Sequence, residues 1–287
     1  MRRMHLIEIH EQPWCPASLR DALTDYLQFA IESGNPYGAI VERLKQSVLQ
    51  ARATQIIDLC SGGGGPWRRL HREFASTNFP IEVCLTDKYP NLAAFRLAQA
   101  ESDGKLSFCP EPINADNVPR DLKGFRTFFS SFHHFRFEDA RAILNDAAQQ
   151  RQGVGVFEAT ARQPLAILLM FLTPLIVLLV TPLIRPFRWT RLFWTYVFPL
   201  VPLIVLWDGV VSCLRTYSPA ELRELTNGLG DGDYLWESGE EKYPRSLIPV
   251  TYLIGYPPTN FVEEGAMENR SFPDLHAVFE RVAPDQS

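Results

Sequence analysis

The chain has 287 residues, 46% hydrophobic and 21% charged, with a formal net charge of −5. That length suits one large domain or one domain with a sizeable insertion, and the apolar content excludes disorder over most of it. The negative balance counts against a general nucleic-acid binder, which needs lysine and arginine to neutralise phosphates.

The N-terminus carries Arg2 and Arg3, then Glu8, His10 and Glu11, without the apolar run of a secretory leader, so a cytoplasmic protein is expected. Residues 16–32 place Leu19, Ala22, Leu23, Tyr26, Leu27, Ala30 and Ile31 at helical spacing, and 36–50 do the same with Ile40, Val41, Leu44 and Val48. The period then changes. Thr54 to Leu59 reads as a short buried strand ending at glycines, and a helix follows over Trp67 to Phe74. Ile81 to Thr86 is a second strand, Asn91 to Ala100 a helix, and Leu106 to Phe108 a weak strand. Phe125 to Ser131 reads as a buried strand, Glu138 to Gln150 as a helix and Val154 to Glu158 as another strand.

Short apolar strands alternating with helices imply βαβ units, hence an α/β fold with a parallel sheet covered on both faces. Further on, Ser218-Pro219-Ala220-Glu221 has the form of a capping box that opens a helix. Strands around Tyr234 to Ser238 and Pro249 to Gly255 could pair as an antiparallel hairpin at a sheet edge, and the last thirty or so residues read as a surface tail with one short helix.

Cys15, Cys60, Cys84, Cys109 and Cys213 are odd in number and form no C-x-x-C pair. Neither a zinc site nor a disulfide framework is expected from them, and no metal is predicted. They read as small buried hydrophobes in a reducing compartment.

The chemistry is concentrated at Asp58-Leu59-Cys60-Ser61-Gly62-Gly63-Gly64-Gly65. Glycines after a strand permit positive φ and let a ligand approach the backbone, and the next helix offers free N–H groups. No Lys-Ser or Lys-Thr follows, which excludes a Walker A loop, and the G-x-G-x-x-G spacing is absent. The alternative is a flexible strand–helix loop without a ligand.

With its strand, this turn resembles the first motif of class I S-adenosylmethionine-dependent methyltransferases, and the resemblance covers roughly residues 54–160 and 213–256. It implies a Rossmann-like, seven-stranded, mostly parallel sheet with S-adenosylmethionine as cofactor. Asp58, Ser61, Gly62, Gly63 and Gly64 would form the turn around it. Asp87, ending the second strand, would take the ribose hydroxyls, and Asp116 with Asn117, after the third, would take the adenine. Ser130, after the fourth strand, belongs to the same implied site. His133 and His134 follow at the station that faces the methyl group in this family. Either imidazole could accept a proton from a substrate hydroxyl, with His133 the first choice; core packing and helix capping are the plain alternatives. Glu158 points at the same rim and could orient a substrate or simply bond a loop. The N-terminal helices resemble the family's lid, with Trp14 and Tyr26 as candidate lid residues.

One segment is not required by such a core. Leu165 to Ile184 is twenty residues without charge, and Leu192 to Trp207 is sixteen more, separated by a turn bearing Arg185, Arg188, Trp189 and Arg191. The first run meets the ~20-residue length of a bilayer span and the second falls short. A spanning hairpin would put the arginines on the far side, against the positive-inside tendency. Pro174, Pro182, Pro199 and Pro202 would also break both runs. A monotopic hairpin at the inner leaflet, with the Arg-Trp cluster among headgroups, fits better. A soluble apolar cap needing a partner surface is the third reading. Trp207-Asp208-Gly209 reads as the turn returning the chain to the core, with Asp208 either closing the site or breaking a helix.

The expected organisation is an N-terminal lid (1–50), a cofactor-binding core (51–160), the hydrophobic insertion (161–212) and the rest of the core with a tail (213–287). The expected function is methyl transfer to an apolar or lipid-like small molecule, at oxygen by the histidines and by family frequency. A non-catalytic membrane adaptor and a soluble methyltransferase with an apolar cap are the alternatives.

Overall fold

The computed structural model describes residues 1–77, 79, 81–230, 232–242 and 246–258. The expected C-terminal tail and its short helix lie outside these residues. After helices α1 (Ala17–Gly34) and α2 (Val41–Gln50), the chain alternates β1 (Gln55–Asp58), α3 (Trp67–Ser76), β2 (Glu82–Leu85), α4 (Leu92–Glu101) and β3 (Leu106–Phe108). Strand β4 (Phe125–Phe129), α5 (Phe137–Gln149) and β5 (Val154–Glu158) complete the parallel part. The insertion consists of α6 (Pro164–Met170), α7 (Thr173–Val180), α8 (Trp189–Leu192) and α9 (Leu200–Arg215). Helix α10 (Pro219–Thr226), β6 (Leu235–Glu241) and β7 (Val250–Tyr256) follow.

The strands form one seven-stranded sheet in the order β3-β2-β1-β4-β5-β7-β6. Strands β1 to β5 are parallel, and β7 runs antiparallel to both β5 and β6. The predicted late hairpin is present, but β7 enters the sheet beside β5 and only β6 is an edge. That is why every residue of β7 except Tyr256 is buried, whereas β6 is largely half-exposed. Strand order reverses between β1 and β4, which opens a crevice at their carboxyl ends, where open α/β sheets bind ligands.

Alternation along β1 explains the two cores. Ile56 faces a cluster with Leu44, Val48, Trp67, Leu70 and Phe95, whereas Ile57 faces one with Phe128, Ile143, Leu144, Leu222 and Leu225. Helix α2, grouped with the lid by sequence, thus packs on the sheet. Every residue of β4 and β5 is buried, as in a central parallel strand covered on both faces. Of the two charged residues among them, Arg126 is held by Asp146 of α5 at 2.7 Å, and Glu158 ends β5 at the carboxyl edge of the sheet. The capping box of α10 forms as predicted: the Ser218 side chain accepts from the Glu221 N–H and the Glu221 carboxylate accepts from the Ser218 N–H.

The insertion packs against α1. Leu19, Leu23 and Tyr26 share a buried cluster with Val177, Ile184, Val201, Ile204 and Val205. Pro164, Pro174 and Pro202 sit in first turns of α6, α7 and α9, where a missing N–H costs nothing. The predicted turn at Trp207-Asp208-Gly209 is not there: α9 runs unbroken to Arg215. Gly209 serves packing instead, since a Cβ at that position would lie 2.8 Å from Met170 Sδ of α6.

Candidate active site

The glycine turn is built from a buried carboxylate outward. Asp58, at the end of β1, accepts hydrogen bonds from Ser61 Oγ (2.6 Å) and Thr127 Oγ1 (2.7 Å). Burial pushes its carboxyl up to about 6 against the pull of those donors. Asp58 and Ser61 therefore brace the turn from within. Gly62 and Gly64 adopt φ values of 54° and 102°, where side chains are strained. Gly62 is exposed, and a Cβ there would meet no atom within 4 Å, so its open side faces free space. Its N–H donates to Asp87 Oδ2 at 2.8 Å, which joins the predicted turn to the predicted acid after β2.

Helix α1 lies over this turn. A Cβ on Gly63 would stand 3.1 Å from Thr24 Cγ2, and Gln28 Nε2 donates to the Gly65 carbonyl at 3.0 Å. Asp116 and Asn117 are exposed in the loop after β3, and the N–H of nearby Ile113 donates to the Asp87 carbonyl at 2.9 Å. Ser130 has a φ of 43°, and its hydroxyl oxygen accepts from Tyr37 Oη (2.7 Å) and the Ala159 N–H (3.1 Å). Those bonds tie the ends of β4 and β5 to the segment before α2, and leave Ser130 only its own proton to offer a ligand. Of the two candidate lid residues, Tyr26 is buried against the insertion and Trp14 is exposed.

His133 and His134 sit on a single 3-10 turn after β4. His133 is buried; its Nδ1 lies 2.7 Å from Glu158 Oε2, and its backbone N–H donates to Glu158 Oε1 at 3.1 Å. Glu158 thus grips the ring and main chain of one residue. On the other side stands the N-terminal segment before α1, whose acids Glu8 and Glu11 are not among the sequence-predicted site residues. Glu8 is fully buried, with Oε1 at 3.5 Å from His133 Nε2 and Oε2 at 3.6 Å from His134 Nδ1. Glu11 Oε1 approaches His134 Nδ1 at 2.6 Å, and Arg215 Nη1 lies 3.2 Å from Glu8 and 3.0 Å from Glu11.

The segment is pinned by Asp208, which accepts from the N–H groups of Ile9 (2.7 Å) and His10 (3.1 Å) and lies 2.9 Å from His10 Nδ1. Asp208 is therefore an anchor for the N-terminus rather than a turn residue. Arg3 reinforces this by donating to the carbonyls of His133 (3.1 Å) and Phe135 (2.8 Å). The pattern Glu8-x-His10-Glu11 was the only trace of this cluster in the sequence.

Charge separates the two imidazoles. Burial opposes protonation of His133, but the carboxylates of Glu158 and Glu8 outweigh it and hold the imidazolium up to about 10. His134 moves the other way: burial and the neighbouring His133 charge lower it. At neutral pH His133 is thus held protonated by its carboxylates, which counts against choosing it as base, and His134 is the imidazole that burial keeps uncharged. Cys60, between Asp58 and the glycines, has its thiol pushed up by burial and by the charges of Asp87, Asp58 and Glu11. The glycine turn and the histidine pair follow β1 and β4, neighbouring parallel strands, and so stand on one rim of the sheet.

Beside that rim, Ile9, Trp14, Leu19, Trp194, Leu203 and Trp207 line an apolar groove of about 480 Å³ between the N-terminal segment and the insertion.

No family model matches the sequence, and no curated protein matches it. Among solved structures, the chain is similar to PigF with SAH, at 12% identity and a TM-score of 0.49, covering 86% of this chain and 62% of that one. It is similar to the O-methyltransferase family 2 protein from Planctomyces limnophilus in complex with apigenin, at 12% identity and a TM-score of 0.46, covering 86% and 66%. It is also similar to the pyocyanin biosynthetic protein PhzM, at 15% identity and a TM-score of 0.46, covering 80% of this chain and 56% of that one. The chain spans less than two thirds of the length of these three proteins. Likenesses at this level do not decide a function, which rests on the geometry of the rim.

Proposed function

We propose that the chain is a class I S-adenosylmethionine-dependent methyltransferase, that it methylates an oxygen of an apolar or lipid-like small molecule, and that it works at a membrane surface. The observation that carries the first part is the pairing of Gly62 with Asp87. An exposed, positive-φ glycine with open space on its Cβ side, its N–H held by the half-buried Asp87 carboxylate, lets a ligand approach the backbone where any side chain would stand in the way. The residues fit the cofactor: Gly62, Gly63 and Gly64 would border its amino-acid part, Asp87 would accept from the ribose hydroxyls, and Asp116 and Asn117 would bond the adenine. When bound it supplies an electrophilic methyl group.

The chain's own residues hold and orient. Thr24 packs on Gly63 and Gln28 bonds the Gly65 carbonyl, so helix α1 holds one side of the glycine turn in place. His134, neutral at neutral pH, takes the proton of an acceptor hydroxyl in the metal-free protein. The groove beside Ile9 suits a hydrocarbon acceptor, because its walls are apolar and it ends one residue from Glu8 of the cluster.

Membrane contact is supported by exposure. The run Pro164–Leu183 is twenty residues long and only 17% buried, and Leu168, Phe171, Leu179, Leu183, Trp189 and Val197 stand in solvent. So large an apolar face calls for a cover, and the occupant we favour is one leaflet of a bilayer. Trp189–Val197 and Leu200–Arg215 meet at 80°, a bend that a single span does not accommodate easily. Arg191 is moreover buried against Asp25 of α1, and Arg188 faces Asp21 and Asp25. The hairpin's turn thus stays on the catalytic unit, which supports an interfacial hairpin over a spanning one. Arg185 remains exposed for headgroups.

Calorimetric titration with S-adenosylmethionine and S-adenosylhomocysteine tests the enzyme reading. Saturable binding is expected; absence of heat together with an unmoved Tm would overturn it. Flotation with anionic vesicles tests the surface reading, and protein that stays at the bottom of the gradient would exclude it.

A further inference from the structure

The geometry points to a metal site at Glu8, His133 and His134: we propose that these three side chains bind one divalent first-row transition ion of the zinc type. This goes beyond the methyltransferase reading and does not depend on it.

The three potential ligand atoms lie within 4.8 Å of one another. Glu8 Oε2 and His133 Nε2 are also buried atoms without a hydrogen-bond partner among the described residues, whereas the third, His134 Nδ1, has the Glu11 carboxylate 2.6 Å away. Unpaired buried polar atoms are costly, at about 1–3 kcal/mol each, so two of them facing a third ligand atom call for an occupant. Their spacing fits an ion better than it fits direct pairing. Glu8 Oε2 stands 3.6 Å from His134 Nδ1, and the Glu8 oxygen nearest His133 Nε2 is Oε1 at 3.5 Å, both too far for a good hydrogen bond. With metal–ligand bonds of ~2.1 Å, the edge of a tetrahedral site is about 3.4 Å.

The surroundings match a built site. Glu8 Oε1 accepts from Ser212 Oγ at 3.0 Å, which fixes the carboxylate and leaves Oε2 to coordinate. Glu158 Oε2 at 2.7 Å from His133 Nδ1 holds the proton on that nitrogen and turns Nε2 inward, the carboxylate–histidine–metal arrangement. Glu11, partly exposed beside His134, is the nearest further donor. Glu8, Glu11, Glu158 and Asp208 bring four carboxylates together. Arg215 touches Glu8 and Glu11 directly, Arg3 binds carbonyls alongside, and His10 stands between Asp208 and Glu8, so the positive charge already present offsets the carboxylates only in part. Two imidazoles with carboxylate favour zinc, iron, cobalt or nickel over calcium and magnesium, which prefer all-oxygen sites.

An ion here changes the chemistry of the pair. A His134 ring bound through Nδ1 keeps its proton on Nε2 and is no longer a proton acceptor.

The test uses the full chain, stripped with chelator and titrated with Zn²⁺ and with Co²⁺ as the spectroscopic probe. One equivalent of tightly bound ion, cobalt d–d absorption bands and a raised Tm are expected. His133→Ala and Glu8→Gln should each weaken uptake at least about 100-fold, while Glu158→Gln should weaken it about 10–100-fold through the ring it orients. His134→Gln, a milder change, keeps the test valid if a buried variant fails to fold, and circular dichroism identifies that case. Wild-type protein that takes up no ion, or variants that bind as wild type does, would overturn the proposal. Neither result bears on cofactor calorimetry, so the two readings fail separately.

Discussion

Arg191, in the turn of the hydrophobic insertion, is buried against Asp25 in the middle of α1, and it also donates to the carbonyls of Ile184 (2.7 Å) and Pro186 (2.8 Å). A residue expected among lipid headgroups is instead the fastener between insertion and lid. Removing one partner of a buried ion pair strands the other charge, so Arg191→Ala should lower stability by about 3 kcal/mol. Thermal unfolding measures this, and a Tm within a degree of wild type would contradict the role.

Gly62→Ala separates folding from binding. A side chain at φ 54° costs about 1–2 kcal/mol of strain, but the space at that Cβ is empty, so the fold should survive with a modest loss of Tm. Binding of S-adenosylmethionine should fall at least about tenfold, because the added methyl stands where the ligand approaches the backbone. Unchanged affinity by calorimetry would remove the turn from the site.

Asp87→Ala should leave Tm nearly unaltered, since its carboxylate is half-exposed and its protein partners are N–H groups of Gly62 and Tyr89. Loss of charged hydrogen bonds to ribose hydroxyls, at about 1.5–3 kcal/mol, predicts an affinity drop of about 10–100-fold. The comparison of Kd with Tm distinguishes a ligand contact from a brace.

Glu221 supplies a pH test away from the rim. Burial opposes its charge, but Arg162 and Ser218 outweigh that and hold its carboxyl below the ordinary glutamate value of 4.5. A depressed folded pKa means that the stabilisation is complete above the unfolded value and is lost as pH falls through the folded one. Glu221→Gln should therefore be less stable than wild type at neutral pH, and the gap should close on acidification below 4.5. A gap independent of pH would assign the effect to packing.

Leu203→Glu, on the groove wall, should abolish vesicle flotation or acceptor turnover while leaving cofactor binding intact. Calorimetry alongside flotation reads the two separately; a variant that floats and turns over normally would detach the groove from the proposed function.

Much of this protein is written locally. β1 with its glycines, the alternation of strands and helices, and the Ser218–Glu221 cap are patterns of a few neighbouring residues, because helix and strand periods and turn chemistry act over that range. The seven-stranded sheet follows from them together with the family resemblance. The position of β7 inside the sheet does not, since its pairing with β5, some hundred residues earlier in the chain, leaves no local pattern to read.

The site divides the same way. The sequence alone determined the Gly62 turn and placed Asp87 and the His133–His134 pair at strand ends, because strand termini carry their residues to one edge. Only the tertiary structure decided that Glu8 and Glu11 meet those histidines, that Asp208 anchors the N-terminus from within a continuous helix, and that Arg191 is buried. These contacts join residues more than a hundred positions apart, and long-range ion pairs leave no local period to read.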